Sequence, residues 1–172
     1  MKTKLLFIQG GIFLVKNNLK SLLIHLTISI ASIIIFFLFN MGQPKWASEQ
    51  AYIKYHNSMM GIAFAVIVVA TILYYSLGKK YLINQGSIYK NLFSVTLTII
   101  LSLFLWGYAL NIDRIGISDH LLNSHLWERY SMYNGYSFFL IKESDNNNPY
   151  VFLLSSFIPT IAMWVGLQRK RN

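Results

Sequence analysis

The chain has 172 residues, 55% of them hydrophobic and 12% charged, with a formal net charge of +9 and no cysteine. That length fits one domain, residues 1–172, and leaves no room for a second. Disulfide scaffolds and thiolate metal sites are excluded, and the basic excess forms no stripe interleaved with exposed aromatics, so nucleic acid is not an expected partner.

Every Asp, Glu, Lys and Arg lies outside four stretches, 21–44, 55–78, 91–112 and 146–168. Each is rich in Ile, Leu, Phe and Val and long enough to cross a bilayer, which takes about 20 apolar residues as helix. The pattern predicts an all-α membrane protein: a four-transmembrane-helix bundle with spans at about 21–39, 57–77, 91–110 and 149–167. Lys2, Lys4, Lys16, Lys20, Lys79, Lys80, Lys90, Arg169, Lys170 and Arg171 flank one set of span ends with no acidic residue among them. Positive residues stay on the cytoplasmic side. Both termini are therefore expected inside, with 40–58 and the longer loop 111–148 outside. The Ile, Lys and Asn bias fits a bacterial chain in the plasma (inner) membrane.

Residues 5–15 form an apolar run between Lys4 and Lys16, too short to span. It is read either as an in-plane amphipathic helix or as an inward extension of span one. The first span is expected to act as an uncleaved signal. It places His25, Ser29 and Ser32 on one helical face. Histidine in a span is a functional suspect, with pairing to a neighbouring hydroxyl or carbonyl as the structural alternative. Span two carries a small-residue face of Ser58, Gly61 and Ala65. Span three repeats the polar stripe with Ser94, Thr98 and Ser102, and span four with Ser155, Ser156 and Thr160. Such stripes are expected to be helix contacts. Pro159 removes the backbone bond to the Ser155 carbonyl and is expected to kink span four. Trp46, Tyr52, Tyr55, Trp106, Tyr108 and Tyr150 read as interfacial anchors at one face, and Tyr74, Tyr75, Tyr81 and Tyr89 at the other.

The long loop is too apolar to be a free linker. Ile112 to Tyr130 has loose helical spacing, and Asn134-Gly135 between aromatic runs signals a type I′ β-hairpin. An ordered outer loop with a short helix and a possible β-hairpin is the expectation. His120, His125 and Glu128 are weak metal-ligand candidates, because no third ligand is fixed by spacing. Trp127, Tyr130, Tyr133, Tyr136 and Phe138 are the candidate partner-docking residues, since buried aromatics anchor interfaces.

One resemblance bears on catalysis. Asn57-Ser-Met-Met-Gly61-Ile-Ala63-Phe64 and Asn111-Ile-Asp113-Arg114 resemble elements of bacterial lipoprotein signal peptidases, which are four-span aspartic proteases. The first element is two residues longer than in that family and the second one shorter. The resemblance implies Asp113 and Asp145 as a catalytic pair, with Asn111 and Arg114 beside them. The family's element around the second Asp is missing here, as are its Asp and Lys in span one. The expected function is therefore a non-catalytic integral membrane accessory, regulatory or immunity-type subunit. It would dock on a larger cell-envelope complex through its outer loop and helix faces. The alternatives are the aspartic peptidase and a small oligomeric transporter of an apolar substrate. No cofactor is expected. The partners are the lipid bilayer and another membrane protein or a second copy.

Overall fold

Charge-free apolar runs can satisfy their own backbone in lipid only as helices, and helices are what they form. The computed structural model describes residues 2–40, 48–113, 125–142 and 149–170, with side chains for 11–39, 48–111, 125–141 and 149–170. Among these residues are seven α-helices: α1 (Lys2–Asn40), α2 (Glu49–Tyr81), α3 (Ile88–Phe93), α4 (Thr96–Asp113), α5 (His125–Tyr133), α6 (Phe138–Lys142) and α7 (Pro149–Gln168). A 3₁₀ turn, Gly135–Ser137, joins α5 to α6. No strand occurs among the described residues.

Three helices are long and apolar enough to cross a membrane: Gly11–Phe39 within α1, α2 and α7. The apolar part of α4, Thr96–Asn111, is shorter. The fold is all-helical and compatible with a membrane-embedded bundle. The run 5–15 is part of the unbroken α1, so it extends that helix and forms no separate in-plane element.

The four long helices form a ring in the order α1, α2, α7, α4, with α2 and α4 facing each other across it. The tightest seam is α2 on α7. A Cβ on Gly78 would sit 2.8 Å from the Met163 backbone, and one on Gly166 would overlap the Tyr75 carbonyl oxygen. Backbones approach this closely only where small residues meet. The inward face of α2 is Met59, Ala63, Ala70, Tyr74 and Gly78. The expected face of Ser58, Gly61 and Ala65 is not the contact face: Ser58 and Ala65 are exposed and Gly61 has open space beside it. Its small residues are outcompeted by the larger area that Met59 and Tyr74 bury.

The stretch expected as span three, 91–110, is not one helix. The chain breaks at Ser94-Val95, and two asparagines of α1 bridge the break. Asn18 Nδ2 donates to Phe93 O at 2.9 Å and its Oδ1 accepts from Leu97 N at 2.9 Å. Asn17 pairs with Ile83 in the same way, Nδ2 to the carbonyl at 2.7 Å and Oδ1 from the amide at 3.0 Å. Each side-chain amide stands in for a peptide group, which satisfies backbone that the helices leave unpaired. Asn91 Oδ1 holds Gln85 N at 2.7 Å, and Gly86 turns the loop at φ 70. These contacts gather Asn17 to Lys20, Tyr81 to Asn91 and Lys170 at one end of the ring, the basic end.

The expected β-hairpin is replaced by a helical hairpin, α5 and α6, with Asn134-Gly135 at its tip. A type I′ turn needs positive φ at both central residues. Asn134 has φ −93, and Gly86 is the only positive-φ residue described. Burial decides between the two. The tip lies inside the ring, where a Cβ on Gly135 would overlap the Ser29 carbonyl oxygen of α1. Non-helical backbone at such depth is tolerated only when protein surrounds it.

Candidate functional site

The hairpin tip completes a buried polar cluster in the middle of the ring. His25 is fully buried and sits among three tyrosines. Its Nδ1 lies 3.0 Å from the Tyr74 hydroxyl. The Tyr133 ring is 4.4 Å away by centroid and the Tyr136 ring 6.3 Å. Tyr74 meets Tyr136 edge-on at 5.6 Å, a favourable aromatic geometry. Tyr74 is thus a core residue bonded to His25, not an interfacial anchor, because its α2 position faces the ring's interior. His25 Nε2 and Ser29 Oγ have no hydrogen-bond partner of standard geometry, although the Tyr133 backbone lies beside His25 and Ser29 beside the Tyr74 hydroxyl.

Deeper along α7 the hydroxyl stripes close on one another. Thr98 and Thr160 hydroxyls are 2.7 Å apart. Ser102 Oγ donates to Ser156 Oγ at 2.8 Å and accepts from Asn134 Nδ2 at 2.9 Å. The Tyr130 hydroxyl reaches the Phe152 carbonyl at 2.6 Å and Ser155 Oγ at 2.9 Å. The Tyr133 hydroxyl donates to Thr98 O at 3.1 Å, and the Tyr136 hydroxyl donates to the Ser155 carbonyl. The stripes therefore act as helix contacts, with the hairpin as an extra partner.

No Asp, Glu, Lys or Arg is among the buried polar residues described. The paired-carboxylate chemistry of an aspartic peptidase needs both carboxylates in one site. This cluster offers neutral hydroxyls, amides and one imidazole, most of them bonded to each other. Among the described residues, His25 Nε2 and Ser29 Oγ are the two buried side-chain polar atoms without a hydrogen bond of standard geometry.

The docking residues lie in this same hairpin. Trp127, Tyr130 and Tyr136 are buried within the chain, and Tyr133 and Phe138 are half-buried. Trp127, Tyr130, Ile141, Ala109 and Phe152 form one apolar cluster. Phe138 and Phe139 pack with Phe36, Met59 and Ala63 in another. The aromatic side chains are thus taken up by internal packing. His125 Nδ1 is 3.7 Å from Glu128 Oε2, at 96% and 55% exposure, a pairing that solvent weakens. No group of three metal-ligand side chains occurs among the described residues.

His120, Arg114 and Asp145 lie outside the described residues, as does the side chain of Asp113 at the end of α4. Asn57 and Asn111, from the two peptidase-like elements, are both exposed, on helices α2 and α4 that face each other across the ring. Those elements are not brought into one site by their described residues. Sequence reasoning missed Asn17, Asn18 and Asn91, and took Asn134 for a hairpin turn when it bonds Ser102 in the cluster. Polar amides at the edge of a charge-free run were the available signal. No protein-family model, curated protein or solved structure matches the chain.

Proposed function

We propose that this chain is a non-catalytic integral membrane subunit, of accessory, regulatory or immunity type, that binds a larger cell-envelope complex in a bacterial plasma membrane. In this reading the bundle has four spans with both termini cytoplasmic, supported by the ten basic residues at one end.

The observation that carries the reading is the outward face of α1. Ile12, Val15, Leu19, Leu23, Leu26, Ile30, Ile34 and Phe37 are exposed at helical spacing. The stripe runs about 38 Å at about 1.5 Å per residue. A bilayer's hydrocarbon core is about 30 Å thick. In this reading lipid covers most of the stripe, and the remainder, at Ile12 and Val15 on the basic end, is assigned to a protein partner. Of the two docking surfaces expected, outer loop and helix faces, the weight falls here on a helix face.

The rival readings have less support. A transporter path between protomers needs free hydroxyl stripes, and these are turned inward onto one another. The peptidase reading needs Asp113 and Asp145 in one site.

Purification in a mild neutral detergent, with mass-spectrometric identification of bound protein, tests the proposal. The expected result is a defined complex that Val15→Glu abolishes without loss of insertion or of thermal stability. A clean monomer, or a complex indifferent to Val15→Glu but lost with Asp113→Asn and Asp145→Asn together, would overturn it.

A further inference from the structure

The close seam between α2 and α7 has an electrostatic result at the basic end. Gly78 and Gly166 let the two backbones touch just before both helices stop. Their C-terminal ends therefore flank one cleft of about 830 Å³, lined by Tyr75, Ser76, Lys79, Lys80, Arg169 and Lys170. Four cations enter it, Lys79 and Lys80 from the last turn of α2 and Arg169 and Lys170 from just past the end of α7. Part of that charge is explained by the helix ends, each of which carries about half a negative charge. Two ends offset about one unit, which leaves about three. No acidic residue occurs in residues 1–20, 79–90 or 169–172, the sequence segments of the basic end. One ammonium, Lys170 Nζ, also donates to Leu82 O at 2.9 Å, and Lys80 lies 5.2 Å from the Tyr81 ring centroid. Neither contact neutralises its charge.

The second observation lies on the adjoining surface. The α2 face that bears Ser76, Lys79 and Lys80 continues away from the basic end as Val68, Val69 and Ile72, each more than half exposed. A charged cleft thus opens directly onto an apolar strip along the same helix. We propose that this cleft binds the phosphate of an anionic phospholipid, whose acyl chains lie along Val68, Val69 and Ile72. The Arg169 guanidinium suits bidentate pairing with phosphate oxygens, and Lys79 and Lys80 act as point charges. The Ser76 and Tyr75 hydroxyls are placed for the glycerol backbone. Free inorganic phosphate shares the headgroup chemistry but has nothing to place on the apolar strip.

The test uses the full chain in neutral detergent, with native mass spectrometry of retained lipid. Phosphatidylglycerol and cardiolipin should be retained over phosphatidylcholine. A cation near a membrane surface contributes about 1 kcal/mol, or about a fivefold change. Lys79→Gln, Lys80→Gln and Arg169→Gln should each weaken retention about fivefold, while Lys90→Gln, at the same end but outside the cleft, should not. Equal losses for Lys90→Gln, or no preference for anionic lipid, would overturn the proposal. So would displacement by millimolar inorganic phosphate. Should the variants misfold, a photoactivatable phosphatidylglycerol on the wild-type chain decides instead. Labelling centred on 68–80 and 165–170 supports the site, and even labelling over all exposed helix faces rejects it.

Discussion

The hydroxyl of Tyr136 donates to the carbonyl of Ser155, the carbonyl that Pro159 leaves without a helical partner. Proline has no N–H to give to the residue four positions back. An unsatisfied carbonyl inside a bundle costs about 1–3 kcal/mol. The tip of the α5–α6 hairpin thus repairs a defect in α7 from a separate element of the chain.

This relationship predicts a coupled pair. Tyr136→Phe should destabilise the protein by about 1–3 kcal/mol, read as thermal unfolding in detergent. Pro159→Ala restores an N–H at position 159. In its background the cost of Tyr136→Phe should shrink, giving a clear interaction energy in a double-mutant cycle. Strictly additive effects would show that the hydroxyl does not serve that carbonyl.

The hairpin tip should tolerate no added atom at Gly135. Gly135→Ala drives a methyl into the Ser29 carbonyl, and overpacking of this kind costs about 1–3 kcal/mol. Gly61→Ala is the control, since its Cβ meets nothing within 4 Å, and alanine improves an exposed helix position by up to about 1 kcal/mol. Thermal unfolding of the two variants should move in opposite directions.

Asn18 should protect one amide at a distance. Asn18→Ala removes the acceptor of Leu97 N–H, so hydrogen exchange should speed up at Leu97 more than at amides in the middle of α4. Asn17→Ala should act likewise on Ile83. Uniform acceleration across α4 would point to global loosening instead.

The absence of native cysteine makes the orientation directly measurable. Gln85→Cys should react with a membrane-impermeant maleimide only after the cytoplasmic side is opened, whereas Ser48→Cys and Arg129→Cys should react in intact cells. The reverse pattern would invert the topology. Arg129 serves here because its neighbour Tyr130 is buried.

What the sequence made legible follows from cost. Charges are expensive in hydrocarbon, so their gaps fall on helices: 57–77 lies inside the much longer α2, Glu49–Tyr81, and 149–167 nearly coincides with Pro149–Gln168. The inward turn of Ser94, Thr98, Ser102, Ser155, Ser156 and Thr160 was legible for the same reason. The break in span three was not, because Asn18, which stabilises it, is 75 residues away from Phe93. The hairpin was misread because Asn134-Gly135 carries a strong local turn signal. Tertiary burial among α1, α2 and α4 overrides it. Trp127, Tyr130 and Tyr136 are buried within the chain itself: aromatic spacing reports that a face is buried, not what buries it.

The placement of the hairpin also fixes an order of assembly. Residues 125–142 leave the ribosome before α7 does, yet Tyr130 and Tyr136 bond to Phe152 and Ser155 of α7. The tip therefore cannot reach its final contacts during its own synthesis. The hairpin's contacts to α1 and α2, such as Tyr136 on Tyr74 and Phe139 on Phe36, have partners that are synthesised earlier. Only the bonds to α7 must wait for the last helix, so they are the final contacts that the order of synthesis allows.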